Sequence, residues 1–208
     1  MAEKALASTT SAQYKTPDEW KGPLRSAWIV GRSFVLRTGR WAEETKESPP
    51  FRNTIASWWG YRGLLWADIH DKLADLVAYR DPPEFLIIHL GGNDLVSVGR
   101  KNVYEEICAS LSGISHTWRD TEIYFSSILP RRKWQGAISY KTVDISRRKL
   151  NRGLEKYCLV KCFRFMKHPF ITLGDPDVFH KDGTQLLEQG MEYFFREISS
   201  TLATRGCK

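Results

Sequence analysis

The stretch Phe85-Leu86-Ile87-Ile88-His89-Leu90-Gly91-Gly92-Asn93-Asp94-Leu95 decides how this chain is read. Five of its first six residues are apolar, the pattern of a short strand buried on both faces. The run stops on two glycines and then presents an amide and a carboxylate. Ligands of open α/β sheets bind in the crevice beyond the carboxyl ends of the strands. A strand ending in Gly-Gly-Asn-Asp is therefore a candidate active-site edge. A glycine turn followed by an Asn or Asp helix cap accounts for the same letters, so the choice rests on the rest of the chain.

Outward from this strand, apolar runs alternate with helical patterns. Ala27-Trp28-Ile29-Val30 ends at Gly31, and Thr54 to Trp59, rich in β-branched and aromatic residues, ends at Gly60. Glu122 to Leu129 is stopped by Pro130, and Lys161 to Met166 forms a short fifth strand. Between them, a helix is expected from Phe34 to Glu47, closed by Ser48-Pro49-Pro50. Leu65, Ile69, Leu73 and Leu76 share one helical face, as do Val103, Ile107, Leu111 and Ile114. Val143 to Tyr157 reads as a strongly basic helix. A last helix, about Thr184 to Ala203, carries the stripe Leu187, Met191, Phe194, Phe195 and Ile198. This alternation predicts parallel βαβ units, hence an α/β fold with three α/β/α layers and a doubly wound five-stranded sheet. No repeat or low-complexity segment interrupts it. One domain is expected over 25–204, with a polar leader at 1–24 and a tail at 205–208.

Composition narrows the function classes. Apolar residues make up 42%, enough for a sizeable core, and no stretch approaches the about 18 uncharged apolar residues of a membrane span. Met1 to Thr16 lacks the apolar region of a secretory signal, so cytoplasm or nucleus is the default location. The four cysteines (Cys108, Cys158, Cys162, Cys207) show no CxxC spacing, and free thiols are expected with no metal centre and no cofactor. Lys and Arg number 31 against 24 Asp and Glu, a +7 balance that suits nucleic acid or other anions. The densest clusters are Arg131-Arg132-Lys133-Trp134 and Arg147-Arg148-Lys149. The first could hold a phosphate backbone and stack on a base, and both are equally ordinary as solvated surface.

Three strand ends supply chemistry in chain order. Gly31-Arg32-Ser33 puts a hydroxyl at a helix start, where the dipole favours developing negative charge. Gly60-Tyr61-Arg62-Gly63 offers an unobstructed backbone N–H, and Asn93 offers an amide donor. A serine with converging donors suits the tetrahedral oxyanion of acyl transfer.

This arrangement resembles the SGNH (GDSL-type) hydrolase superfamily of esterases, lipases and acetyl-ester hydrolases, over about Trp28 to Phe195. The resemblance implies a flavodoxin-like sandwich with Ser33 as nucleophile. It implies an oxyanion hole of Ser33, Gly63 and Asn93, with Gly91-Gly92-Asn93-Asp94 the most specific match. More narrowly, Trp28-Ile29-Val30-Gly31, His89 to Leu95 and Ile128-Leu129-Pro130-Arg131 resemble SGNH-like domains of vertebrate retroelements, or of genes derived from them.

Two positions depart from the pattern. Arg32 stands before the serine, where the family often has Asp and this subgroup often His. The family's closing Asp-x-x-His falls in register on Asp182-Gly183-Thr184-Gln185, with Gly190 five residues on. That register puts Gln185 where the general base belongs, and an amide cannot take the proton of a serine. Asp177-Val178-Phe179-His180 is an Asp-x-x-His five residues earlier, which makes His180 an alternative base beside Asp182. His89, inside a strand, reads as a core residue. His70 and His116 fall on helices, and His168 precedes Pro169 in a turn.

Three functions are consistent with these residues. One is a serine esterase on acyl or acetyl esters, with His180 or another group as base. The second is an inactive relative whose crevice holds an acylated or anionic ligand. The third is a mobile-element-derived protein binding nucleic acid through Arg131, Arg132, Lys133, Arg147, Arg148 and Lys149. Oligomeric state is unspecified.

Overall fold

The structure, a computed structural model, describes residues 24–45 and 54–205. The leader expected over 1–24, except Leu24, lies outside these residues, as do Glu47, Ser48-Pro49-Pro50, residues 206–208 and Cys207. Five parallel strands form one sheet in the order β2-β1-β3-β4-β5: β1 (Arg25–Gly31), β2 (Thr54–Gly60), β3 (Phe85–His89), β4 (Glu122–Ser126) and β5 (Arg164–Met166). The order reverses direction between β1 and β3. Doubly wound sheets open their ligand crevice at that switch point.

Alternation along the strands divides the core in two. Trp28, Val30, Leu86, Ile88 and Phe125 face one side and meet α2 (Ile69–Val77), α4 (Arg100–Thr117) and α5 (Tyr140–Val160). Ala27, Ile29, Phe85, Ile87 and Tyr124 face the other side. There they meet Phe34, Val35 and Trp41 of α1 (Ser33–Glu44) and Phe194, Phe195, Ile198 and Leu202 of α6 (Glu188–Arg205). Because side chains of a strand alternate by two, near-continuous apolar runs are what a sheet covered on both faces requires.

Several ends shift by up to three residues (β4 stops at Ser126, β5 starts at Arg164, and α5 extends beyond Val143 and Tyr157), and two differences are larger. A short helix, α3 (Asp94–Ser97), starts straight after Asn93, too brief for periodicity to register. The last helix begins at Glu188, not Thr184. Residues 178–187 fold back on themselves, with the Leu187 N–H donating to the Val178 carbonyl at 2.9 Å and the His180 N–H to the Gln185 carbonyl at 2.9 Å. Leu187 is consequently exposed, outside the stripe assigned to it.

Where α1 crosses the strand ends, only glycine fits. A Cβ on Gly60 would lie 2.3 Å from Leu36 Cα, and one on Gly31 would lie 2.6 Å from the His89 carbonyl oxygen. These contacts seat the first turn of α1, with Ser33, on the sheet edge.

Candidate active site

Backbone bonds gather the loops at this edge. The Tyr61 N–H donates to the Gly31 carbonyl at 2.9 Å, laying the loop after β2 beside the β1 exit. The buried Asp94 carboxylate accepts the Trp66 N–H at 2.7 Å, tying the far end of that loop to the β3 exit. The Lys133 N–H donates to the Gly183 carbonyl at 3.0 Å, and the Thr184 hydroxyl to the Lys133 carbonyl at 3.3 Å. These last bonds bring the 182–185 turn to the same edge. Between the loops lies a crevice of about 980 Å³, lined by Ser33, Gly63, Asn93 and Gln185 among others.

Ser33 is the first residue of α1, and Arg32 before it is non-helical, with no side-chain cap on the helix. The first N–H groups of a helix have no partner within it, so α1 starts with donors at the crevice. Gly63 has φ +75°, the left-handed region that favours glycine. Asn93 Oδ1 accepts a hydrogen bond from Arg131 Nη1 at 2.9 Å. The Arg131 guanidinium packs between aromatic rings, 5.5 Å from the Phe34 centroid and 5.0 Å from that of Trp134. A Cβ on Gly92 would stand 2.9 Å from Arg131 Nη2, so a side chain there would push the guanidinium aside. Burial first, and then the charge of Arg32, bring the Arg131 pKa down to about 10. It remains a cation at neutral pH.

Gln185 lies in the crevice with its Oε1 buried and without a partner. His180 is not among the lining residues. Its half-exposed ring sits with Nδ1 3.3 Å from Asp182 Oδ2, while Asp182 Oδ1 accepts the Thr184 N–H at 2.7 Å and the Gln185 N–H at 2.9 Å. Partial burial pushes the Asp182 carboxyl up, but those hydrogen bonds and the adjacent His180 outweigh it and hold its pKa below the ordinary value. The structure thus brings Ser33, Gly63, Asn93 and Gln185 together and leaves the His180–Asp182 pair on the turn beside them.

Beneath the crevice, His89 Nδ1 lies 2.9 Å from Ser126 Oγ, which lies 2.7 Å from His168 Nε2. Both imidazoles are buried. Desolvation, followed by the charges of His168 and Arg131, lowers the His89 pKa well below its ordinary value, and desolvation takes that of His168 down to about 3.

Of the six basic residues assigned to a nucleic-acid surface, Arg132, Lys133, Arg148 and Lys149 are exposed, whereas Arg131 and Arg147 are partly buried. Arg131 is turned in against Asn93, and Arg147 is bonded to Asp144 at 2.8 Å and to the Ile128 carbonyl at 3.1 Å. Arg148 also reaches Asp144, at 3.2 Å, and Arg132 donates to the Asp175 carbonyl at 2.7 Å. The sequence reading missed Asp94 as the tie between loops, and it missed Arg37, Arg40 and Arg62, which line the crevice. Ser33, Arg37 and Arg40 fall at i, i+4 and i+7, a spacing that already puts them on one helix face.

Among the described residues, no helix is long and apolar enough to cross a membrane and no cluster could hold a metal ion. No family model matches the chain, and no curated protein matches it. Solved structures do. A GDSL-like lipase from Bacteroides thetaiotaomicron superposes with TM-score 0.67 at 16% identity, covering 87% of this chain and 89% of the lipase. A carbohydrate acetylesterase from Sinorhizobium meliloti gives 0.65 at 12% identity, covering 87% and 99%. A lipase/acylhydrolase from Enterococcus faecalis gives 0.61 at 12% identity, covering 88% and 97%. At such identities the likeness speaks for architecture. With its five parallel strands and helices on both faces, this chain has the α/β fold of the SGNH, or GDSL-type, hydrolases.

Proposed function

We propose that the crevice binds acyl or acetyl esters and that Ser33 hydrolyses them slowly, as a degenerate SGNH-type esterase. The ester carbonyl oxygen sits among the N–H groups of Ser33 and Gly63 and the Asn93 amide. The Ser33 oxygen attacks the carbonyl carbon, and the oxyanion that forms is stabilised by these donors. The serine proton has no imidazole to go to, because Gln185 occupies the base position and its amide is far too weak a base. It passes to water. The intermediate collapses with cleavage of the ester C–O bond, and the departing alkoxide takes a proton from water. A second water hydrolyses the acyl-serine to release the acid and restore Ser33, each step slow without a base. The observation that supports this reading is the shared lining of one crevice by Ser33, Gly63, Asn93 and Gln185, with His180 outside it.

A fluorophosphonate probe tests the proposal. Wild type is expected to form an adduct slowly, Ser33→Ala to form none, and His180→Asn to react at the wild-type rate. If no Ser33-dependent adduct forms and p-nitrophenyl acetate is not cleaved, hydrolysis is ruled out.

A further inference from the structure

The crevice beside Ser33 is lined by five arginines, Arg32, Arg37, Arg40, Arg62 and Arg131, and by no acidic residue among the described ones. None of the five forms an ion pair there. Arg32 and Arg131 reach deepest, since both also line a small cavity of about 20 Å³ beneath the crevice, together with Asp94. Burial lowers the Arg32 pKa against the opposing charge of Asp94, whose Oδ1 is already bonded to the Trp66 N–H. Arg32 Nη1 and Arg131 Nε are buried without a hydrogen-bond partner.

Buried donors on guanidiniums are costly to leave unmade, and like charges held close repel. Burial, and then the charge of Arg32, already depress the Arg131 pKa. A neutral ester can accept a hydrogen bond from these donors but brings no charge to offset the guanidiniums. A carboxylate is matched by one guanidinium fork, whereas a phosphomonoester brings three terminal oxygens and nearly two charges. The volume, about 980 Å³, is that of a site for a small molecule larger than free phosphate.

We propose that this crevice is a phosphomonoester site, in which Arg131 and Arg32 grip the phosphate from below and Arg37, Arg40 and Arg62 close on it from the rim. It deepens the ester reading by naming a phosphorylated small molecule as the ligand class. It rests on that reading only for the acyl group placed at Ser33, because the phosphate contact needs no turnover.

Phenyl phosphate, titrated calorimetrically at 50 mM NaCl with phenol as the neutral control, reads this site. Wild type and Ser33→Ala should bind phenyl phosphate equally, and phenol should not bind measurably. Arg131→Met and the surface triple variant R37Q/R40Q/R62Q should each weaken binding by about tenfold or more. Far-UV circular dichroism checks Arg131→Met for folding, and the triple variant changes only exposed positions. Binding no tighter than that of phenol, or a triple variant that binds like wild type, overturns the proposal. Displacement of phenyl phosphate by a single-stranded oligothymidine at far lower concentration overturns it in favour of a nucleic-acid backbone. Loss of phosphate binding with Ser33-dependent fluorophosphonate labelling intact removes this site alone. The reverse pattern removes the ester reading alone.

Discussion

Arg131 Nη1 donates to Asn93 Oδ1 across 2.9 Å, and this bond settles which way the Asn93 amide faces. A guanidinium has donors only, so the oxygen of Asn93 must be the atom turned to it. The Asn93 NH2 is left for the crevice, where an oxyanion donor is wanted. In the esterase reading proposed above, this bond makes Arg131 a positioning residue for Asn93, with its guanidinium packed against Phe34 and Trp134.

If that is the role of Arg131 toward Ser33 chemistry, its loss should matter only while Asn93 is present. Losing an oxyanion donor costs roughly 10²–10³ in rate, and misorienting one should cost about tenfold. Fluorophosphonate labelling rates for Asn93→Ala, Arg131→Met and the double variant form the check. Arg131→Met should slow wild type and add little to Asn93→Ala. Additive losses would show that Arg131 acts elsewhere.

Stability should fall in acid because of His89 and His168. Both are buried and neutral in the fold, with folded pKa values below the ordinary 6.5, that of His168 being about 3. Below pH 6.5 the unfolded chain binds protons that the folded chain refuses. The stability present above that pH is lost as pH falls, by up to about 2.7 kcal/mol per pH unit for two protons. Urea melts at pH 7.5, 6.0 and 5.0 measure the slope. Replacing both rings (His89→Gln with His168→Gln) should flatten it at the cost of overall stability.

Ser126→Ala should destabilise the fold by about 1–3 kcal/mol, since it strips the hydroxyl that bonds both rings in a buried site. Thermal unfolding compared with Ser127→Ala, a neighbour outside that bonded chain, is the measurement. Equal melting temperatures would show that the His89–Ser126–His168 chain contributes nothing.

Gly60→Ala places a methyl group 2.3 Å from Leu36 Cα, a backbone atom that cannot turn aside. The first turn of α1 must move, which overpacking studies put at about 1–3 kcal/mol or more. Both the melting temperature and Ser33 labelling should drop. Gly63→Ala meets no neighbour within 4 Å. It should lower stability only through its left-handed backbone, by about 1 kcal/mol.

Much of this was legible in the sequence. The runs at Ala27–Val30 and Phe85–Leu90 had to be strands covered on both faces, and their glycine exits set Ser33 and Asn93 at one edge. Local spacing could not carry the bond between Arg131 and Asn93, which are 38 residues apart. Arg131 therefore read as surface charge when its guanidinium is packed inward. The pairing of His89 with His168 through Ser126 was hidden in the same way, each residue unremarkable on its own strand or turn. The helix expected from about Thr184 starts instead at Glu188. Leu187 has the spacing of the stripe that continues at Met191 and Phe194, while Asp182 and the backbone bonds of the 178–187 turn hold residues 184–187 out of the helix.

If Ser33, Gly63 and Asn93 already form an oxyanion hole and a base alone is lacking, Gln185→His should restore turnover. Its rate of p-nitrophenyl acetate hydrolysis at pH 7.5 is compared with wild type and with Gln185→His/Ser33→Ala. Wild type should stay close to the Ser33→Ala background, and Gln185→His should gain about 100-fold or more, a gain abolished by removing Ser33. A folded Gln185→His no faster than wild type, or a wild type already fast and silenced by His180→Asn, would contradict this reading of the site.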